Sequence, residues 1–345
     1  ATITGSYEYH KNSGNDVTVV SAIVDDPTGY GRIIKENDAF KAIVEQKDCD
    51  NEQAKVREIN SGIYWFKAEK LSGLLDKLGN NNAAGEYYLT DTVGVADKKG
   101  VYTADSADVV LGANSRSQLA ALNEVARKRK LAELMDEGVD IPLSDGIIIG
   151  KDVKIGHDTV ILPNTIIKGN TVIGNGCEIG PNSYIDNCVI EDNVILNNVQ
   201  AHESKVDSKA KAGPFVHLRP NTHLHSGVKI GDFVEVKNSE VGINTCIAHL
   251  TYIGDSDVGK GVNFGCGCVT ANYDGIKKYR TTIGDNAFIG CNTNMIAPVT
   301  IGDNATTAAG STITKNVPAD SLAVERGQTR IIEHWEKNSK RIKKA

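Results

Sequence analysis

The 345-residue chain carries a formal net charge of −6, a balance that argues against a nucleic-acid-binding surface. No apolar run approaches membrane-spanning length and residues 1–10 do not read as a signal peptide, so a cytoplasmic protein is expected. Seven cysteines, odd in number and scattered, read as buried thiols of a reducing compartment rather than a disulfide framework.

Residues 1–113 have the texture of an α/β domain. Apolar runs at 16–24 and 40–45 read as strands and 68–78 as a helix. A connecting segment follows at 114–137, with a helix over 115–137 capped near Asn114. Leu119, Leu122, Val125, Leu131 and Leu134 make its apolar stripe, and the basic run at 127–130 marks an exposed connector.

The third segment, 138–318, is repetitive. An aliphatic residue recurs every six positions at Ile149, Ile155, Ile161, Ile167, Ile173, Ile179 and Ile185. The register slips at Ile190 and Ile195, then resumes at Leu218, Leu224, Ile230 and Val236 and continues to Ile301. A period of six suits neither an α-helix nor a hairpin sheet. It suits a chain coiling through three short strands per turn, roughly 18 residues a coil and about nine or ten coils in all. Glycine and asparagine fall at the corners, where tight turns or positive φ are required. The pattern resembles the left-handed β-helix of hexapeptide-repeat acyltransferases. A mainly β fold is therefore expected: a left-handed parallel β-helix behind a partial α/β domain and a connecting helix. Residues 319–345 read as an arm ending in a short helix at 331–343.

Two residues speak independently of any resemblance. Arg219 and Lys237 are 18 positions apart, and Leu218, Leu224, Ile230 and Val236 hold register between them. On a three-sided coil they should stack on adjacent turns with backbones about 4.8 Å apart. Like charges so placed repel unless an anion lies between them.

Particular motifs narrow the reading. Asp26-Pro-Thr-Gly-Tyr-Gly-Arg-Ile33, Glu58-Ile-Asn-Ser-Gly-Ile63 and Gly85-Glu-Tyr-Tyr-Leu-Thr-Asp91 precede His249-Leu-Thr-Tyr-Ile-Gly-Asp255 and Ala271-Asn-Tyr-Asp-Gly275. Together they resemble the bacterial bifunctional N-acetylglucosamine-1-phosphate uridyltransferase/glucosamine-1-phosphate acetyltransferase family, over essentially the whole chain. The resemblance implies acetyl transfer from acetyl-CoA to glucosamine 1-phosphate, for UDP-N-acetylglucosamine and cell-wall precursor synthesis. It makes His249 the general base and assigns the acceptor to Arg219, Lys237, Tyr252 and Asn263. It assigns acetyl-CoA to Cys266, Asn272, Tyr273, Cys291, Ala309 and Arg326, with cysteine at 266 and 291 where the family usually has alanine and serine. Gly31, Glu45 and Asn60 match its sugar-nucleotide contacts, and Asn114 matches one Mg²⁺ ligand. The family's opening Gly-rich loop with its arginine has no counterpart here, so uridylyl transfer is not expected of these residues alone. The resemblance also implies a homotrimer with the acetyl-transfer site shared between subunits.

The chemistry agrees with the assignment of His249, since an amine of pKa about 7.7 to 8.0 is well matched to an imidazole base. The stretch 271–282 breaks the six-residue rhythm, and an excursion from a solenoid is usually functional. His217, His223 and His225 include one His-x-His pair, a weak metal signal by itself; with Leu224 inward, its two neighbours face out on one wall. Two further readings stay open: an acyltransferase with another phosphorylated amino-sugar acceptor, and a non-catalytic trimeric scaffold.

Overall fold

The computed structural model describes residues 2–109, 112–113 and 115–335. The chain divides into two compact units, Ala1–Ala126 and Arg127–Ala345.

The first unit holds a five-stranded sheet in the order Ala39–Val44, Arg32–Glu36, Glu58–Phe66, Val17–Ile23, Lys99–Thr103. Val17–Ile23 runs antiparallel to Glu58–Phe66 and parallel to Lys99–Thr103. Being internal, it is covered on both faces, which is why its sequence is mostly apolar rather than alternating, with the buried Thr18 and Ser21 hydrogen-bonded to His10 and Glu58. Val17 and Val19 pack with Ile33, Ile43, Leu74 and Val93 on one side, and Val20 and Ala22 with Ala104 on the other.

The helix Arg116–Asp136 starts behind Ser115, whose Oγ accepts the Gln118 N–H at 3.2 Å. Asn114, the expected cap, lies outside the described residues. Of the predicted stripe, Leu131 and Leu134 are buried in the β-helix core, whereas Leu119 is exposed.

The second unit is a left-handed parallel β-helix with three flat walls of ten, nine and ten strands. The first wall begins at Ile148–Ile149, the second at Lys154–Ile155 and the third at Val160–Ile161. Most strands are two or three residues long with the central or last side chain inward. Ile161, Ile167, Ile179, Ile185, Leu218, Leu224, Val236, Ile247 and Ile253 all have zero exposure, so the six-residue period is the period of the core. Fully burying each such side chain contributes about 1.5–3 kcal/mol, and only stacked neighbours provide the burial.

The corners explain the asparagines. Asn164, Asn182, Asn244 and Asn286 all have φ between 54° and 59°, the left-handed region asparagine tolerates best among residues with a Cβ. The register slip after Ile185 does not interrupt the coil. Ile173, Ile190, Val206 and Leu224 stack on successive rungs of the second wall, the shorter steps being absorbed in the corners. At the other end, Val258 pairs with Ile283, so residues 272–280 leave and rejoin the coil without disturbing it. Residues 331–334 carry no helix, and 336–343 lie outside the described residues.

The cysteines correct one expectation. All seven are free, but only Cys177, Cys188 and Cys268 are buried; Cys49, Cys246 and Cys266 are half-buried and Cys291 is exposed. The buried three sit two positions before an inward residue, a slot elsewhere filled by threonine, and burial pushes the Cys188 and Cys268 thiols up to about 11. The second-unit cysteines that are not buried occupy outward positions of the third wall or its corner.

Candidate active site

Arg219 and Lys237 each follow an inward residue at the far edge of the first wall. Leu218 pairs with Val236, and the Arg219 N–H donates to the Val236 carbonyl at 2.8 Å, so the two cations stand on adjacent rungs. On the next rung the column has no side chain, because Lys237 pairs with Gly254. A Cβ at Gly254 would overlap the Tyr252 hydroxyl and the Asn272 amide. Glycine at 254 thus lets these two polar side chains close in on the backbone beside Lys237. The Asn272 amide reaches the Tyr252 hydroxyl at 3.4 Å and also donates to Asp255. Asp255 accepts a second side-chain amide, from Asn238, so the carboxylate fixes both amides.

A third cation comes from the excursion at 272–280. Lys278 approaches Lys237, and that contact first, then burial and the Arg219 charge, hold the Lys237 ammonium below its ordinary value. Arg219 pairs with Glu235 at 2.8 Å, which raises the guanidinium's affinity for its proton. Three basic groups gathered on one face are stabilised when an anion joins them. Arginine offers a planar fork to a phosphate and each lysine a point charge.

His249 occupies the corner between the third and first walls. It ends the strand Cys246–His249, three residues before Tyr252. It is exposed, and among the described residues its ring takes no hydrogen-bond or ion-pair partner. The corner repeats on the rungs above. Gly267 N–H donates to the His249 carbonyl, Asn292 N–H to that of Cys266 and Gly310 N–H to that of Cys291. This ladder stacks His249, Cys266, Cys291 and Ala309 in one column. Arg326 lies at its top, with Cδ 3.9 Å from where a Gly310 Cβ would be.

Within one chain, the residues fall into two groups on opposite edges of the first wall. Arg219, Lys237, Asn272 and Tyr273 line the edge shared with the second wall; His249, Cys266, Cys291 and Ala309 line the edge shared with the third. Tyr252 lies between them. Asn263 is on the third wall opposite Cys246, and the structure does not bring it to the cations. Tyr273 is exposed, its hydroxyl donating to the Gly275 carbonyl at 2.6 Å within the excursion. His217 is on the first wall with its ring 5.9 Å from that of His202, away from His223 and His225 on the second.

In the first unit, Gly31, Glu45 and Asn60 converge. The Asn60 N–H donates to the Gly31 carbonyl at 2.8 Å, and Glu45 Oε1 lies 3.2 Å from the position a Gly31 Cβ would take. Asn114 lies outside the described residues.

Sequence reasoning missed Lys278, Gly254 and Asp255. Gly254 and Asp255 sit inside the quoted His249 motif, but their function depends on a pairing two rungs deep. Lys278 shares a four-residue basic-rich run with Lys277 and Arg280, and nothing local separates them; Arg280 instead pairs with Asp257 at 2.9 Å.

Known proteins resemble the chain closely. Residues 280–315 match the family described as bacterial transferase hexapeptide (six repeats). The bifunctional protein GlmU of Acetivibrio thermocellus is 48% identical over 340 residues, covering 97% of this chain and 74% of that protein. The bifunctional protein GlmU of Clostridium acetobutylicum is 46% identical over 338 residues, with the same two coverages, 97% and 74%.

Proposed function

The chain belongs to the family of bifunctional GlmU proteins, acetyltransferase and uridyltransferase enzymes of amino-sugar nucleotide synthesis, and on that premise we propose that this chain acetylates glucosamine 1-phosphate from acetyl-CoA. The observation that carries the acceptor is the trio Arg219, Lys237 and Lys278 gathered beside Gly254. That arrangement suits a phosphate joined to a small polar ring which Tyr252 and Asn272 border.

His249 takes a proton from the 2-ammonium group of the sugar. The freed nitrogen attacks the thioester carbonyl, an N–C bond forms and the C–S bond breaks. The thiol of coenzyme A leaves with a proton, and no acyl-enzyme on Cys266 or Cys291 is required. The column from His249 through Cys266, Cys291 and Ala309 forms a straight edge along which the pantetheine arm can lie, with Arg326 at the end for a coenzyme A phosphate.

The partition of the site between two edges favours a homotrimer in which one copy's His249 edge faces another's cation edge. A second observation points the same way. Next to the His249 column, Phe215, Phe233 and Leu250 form an exposed apolar ridge, with the two phenyl rings stacked at 5.1 Å. All three have φ between 46° and 58°, strained for bulky side chains and tolerated where the fold gains from it. The protein should have the mass of three chains in light scattering, and Phe233→Asp should lower it. A single-chain mass for the unaltered protein at micromolar concentration removes the trimer.

The function itself is tested by thiol release from acetyl-CoA with a panel of amino sugars. Glucosamine 1-phosphate should be acetylated and glucosamine left almost untouched. Equal rates with both, or none with either, refute the assignment. No helix among the described residues is long and apolar enough to cross a membrane, which accords with a cytoplasmic setting for this reaction.

A further inference from the structure

The second wall carries a cluster that acetyl transfer does not use. His223 and His225 flank the inward Leu224, so both imidazoles project from the same wall with ring centroids 3.9 Å apart. The rung below contributes Asp207, just past the inward Val206, and the rung above contributes Glu240, just before the inward Val241. Both rings lie between the two carboxylates. His223 Nε2 is 2.9 Å from Asp207 Oδ1 and its Nδ1 3.0 Å from Glu240 Oε2. His225 Nδ1 is 3.2 Å from Asp207 Oδ2 and its Nε2 2.9 Å from Glu240 Oε2.

These four contacts cannot all be ordinary hydrogen bonds in the uncharged rings. A neutral imidazole has one N–H and one lone pair, so two neutral rings supply two donors for four nitrogen–oxygen contacts. The other two contacts then set lone pair against lone pair. Charging both rings supplies the donors but sets two cations with centroids only 3.9 Å apart. A divalent cation removes the conflict, because it accepts a lone pair from each ring and neutralises the carboxylates. The spacing fits: one donor atom from each of Asp207, His223 and His225 lies within 4.8 Å of the others. Donors around a tetrahedral zinc at 2.0–2.1 Å are about 3.3 Å apart, so side-chain rotations that draw the donors together by at most about 1.5 Å complete the site.

We propose that Asp207, His223 and His225, with Glu240 as a fourth ligand or as the partner of the free ring nitrogens, bind a divalent transition metal of the zinc class. Two imidazoles with carboxylates select zinc, cobalt or nickel over magnesium or calcium, which prefer all-oxygen shells. The ligands come from three consecutive rungs, so the ion would tie three coils together, and a solenoid's stability is held in such nearest-neighbour interfaces. Lys205 is the built-in competitor. Its ammonium lies 3.0 Å from Asp207 Oδ1, with Glu191 at 3.8 Å on its other side, and metal entry displaces it.

Zinc chloride titrated calorimetrically into metal-free, untagged protein should bind saturably at one equivalent per chain. Zinc should also raise the thermal midpoint. His223→Gln and His225→Gln should each weaken binding by at least about 100-fold. Lys205→Met, which removes the competing cation, should tighten it, a gain that misfolding cannot imitate. Cobalt should give the intense visible bands of a tetrahedral site in the unaltered chain and not in the glutamine variants. No saturable binding at micromolar zinc overturns the proposal. So does binding that both glutamine variants retain in full, or that Lys205→Met leaves unchanged.

Discussion

Replacing His249 with Ala is expected to lower kcat for acetyl transfer by about 10²- to 10⁴-fold, the usual contribution of a positioned general base. KM for glucosamine 1-phosphate should change little, because the proposed phosphate clamp lies on the other edge of the first wall. That separation gives the prediction its force. A side chain that merely packed in the corner would alter stability on removal, but His249 is exposed and among the described residues partners nothing. In His249→Ala, raising pH should restore part of the rate by deprotonating the substrate amine directly. Steady-state kinetics across pH decides the matter. A variant with unaltered kcat removes the base from the mechanism.

The β-helix was legible because a solenoid writes its core into the sequence at a fixed period. Each inward aliphatic residue of 149–185 is buried, and corner asparagines such as Asn164, Asn182, Asn244 and Asn286 take the left-handed conformation that their type allows. The adjacency of Arg219 and Lys237 follows from the same arithmetic, since 18 residues are one coil wherever register holds. What the period could not carry is what depends on broken register or on corners. Lys278 reaches Lys237 from an excursion whose path no repeat dictates. Asp207 joins His223 and His225 because the coil between Val206 and Leu224 regains its full length after the slip. Counting sixes from Ile185 does not place it. The cysteines were misjudged for a related reason: residue type favours burial, but Cys266 and Cys291 stand on an outward corner, where the backbone and not hydrophobicity decides exposure. The split of the site across two edges is likewise invisible to spacing, because it depends on which wall each strand joins. In the first unit, the apolar run at 16–24 announced a strand, whereas the convergence of Gly31, Glu45 and Asn60 required the antiparallel partner at Glu58–Phe66.

Removing the cations by Arg219→Met together with Lys237→Met should raise KM for glucosamine 1-phosphate by about 10²- to 10³-fold. Each charge-assisted hydrogen bond to a phosphate contributes about 1.5–3 kcal/mol, and 1.4 kcal/mol is a factor of ten. The lower end applies because Arg219 is 40% exposed and already shares its charge with Glu235. The slow acetylation of glucosamine itself should be unchanged, since it never engaged these groups, so the preference for the phosphorylated acceptor collapses from one side only. Lys278→Met alone should raise KM less, by about tenfold, a single point charge being removed. It should also let the Lys237 ammonium return toward its ordinary value, because the largest cause of its depression is gone. The sign of the salt dependence follows. Raising ionic strength should weaken acceptor binding in the unaltered enzyme and have little effect on the double variant, since added salt screens a phosphate–cation attraction that the variant lacks. Should the double variant retain its discrimination between glucosamine 1-phosphate and glucosamine, the phosphate is bound elsewhere. The Arg219–Lys237 edge would then have lost its assigned ligand, and the acceptor would have to be sought along the His249 column instead.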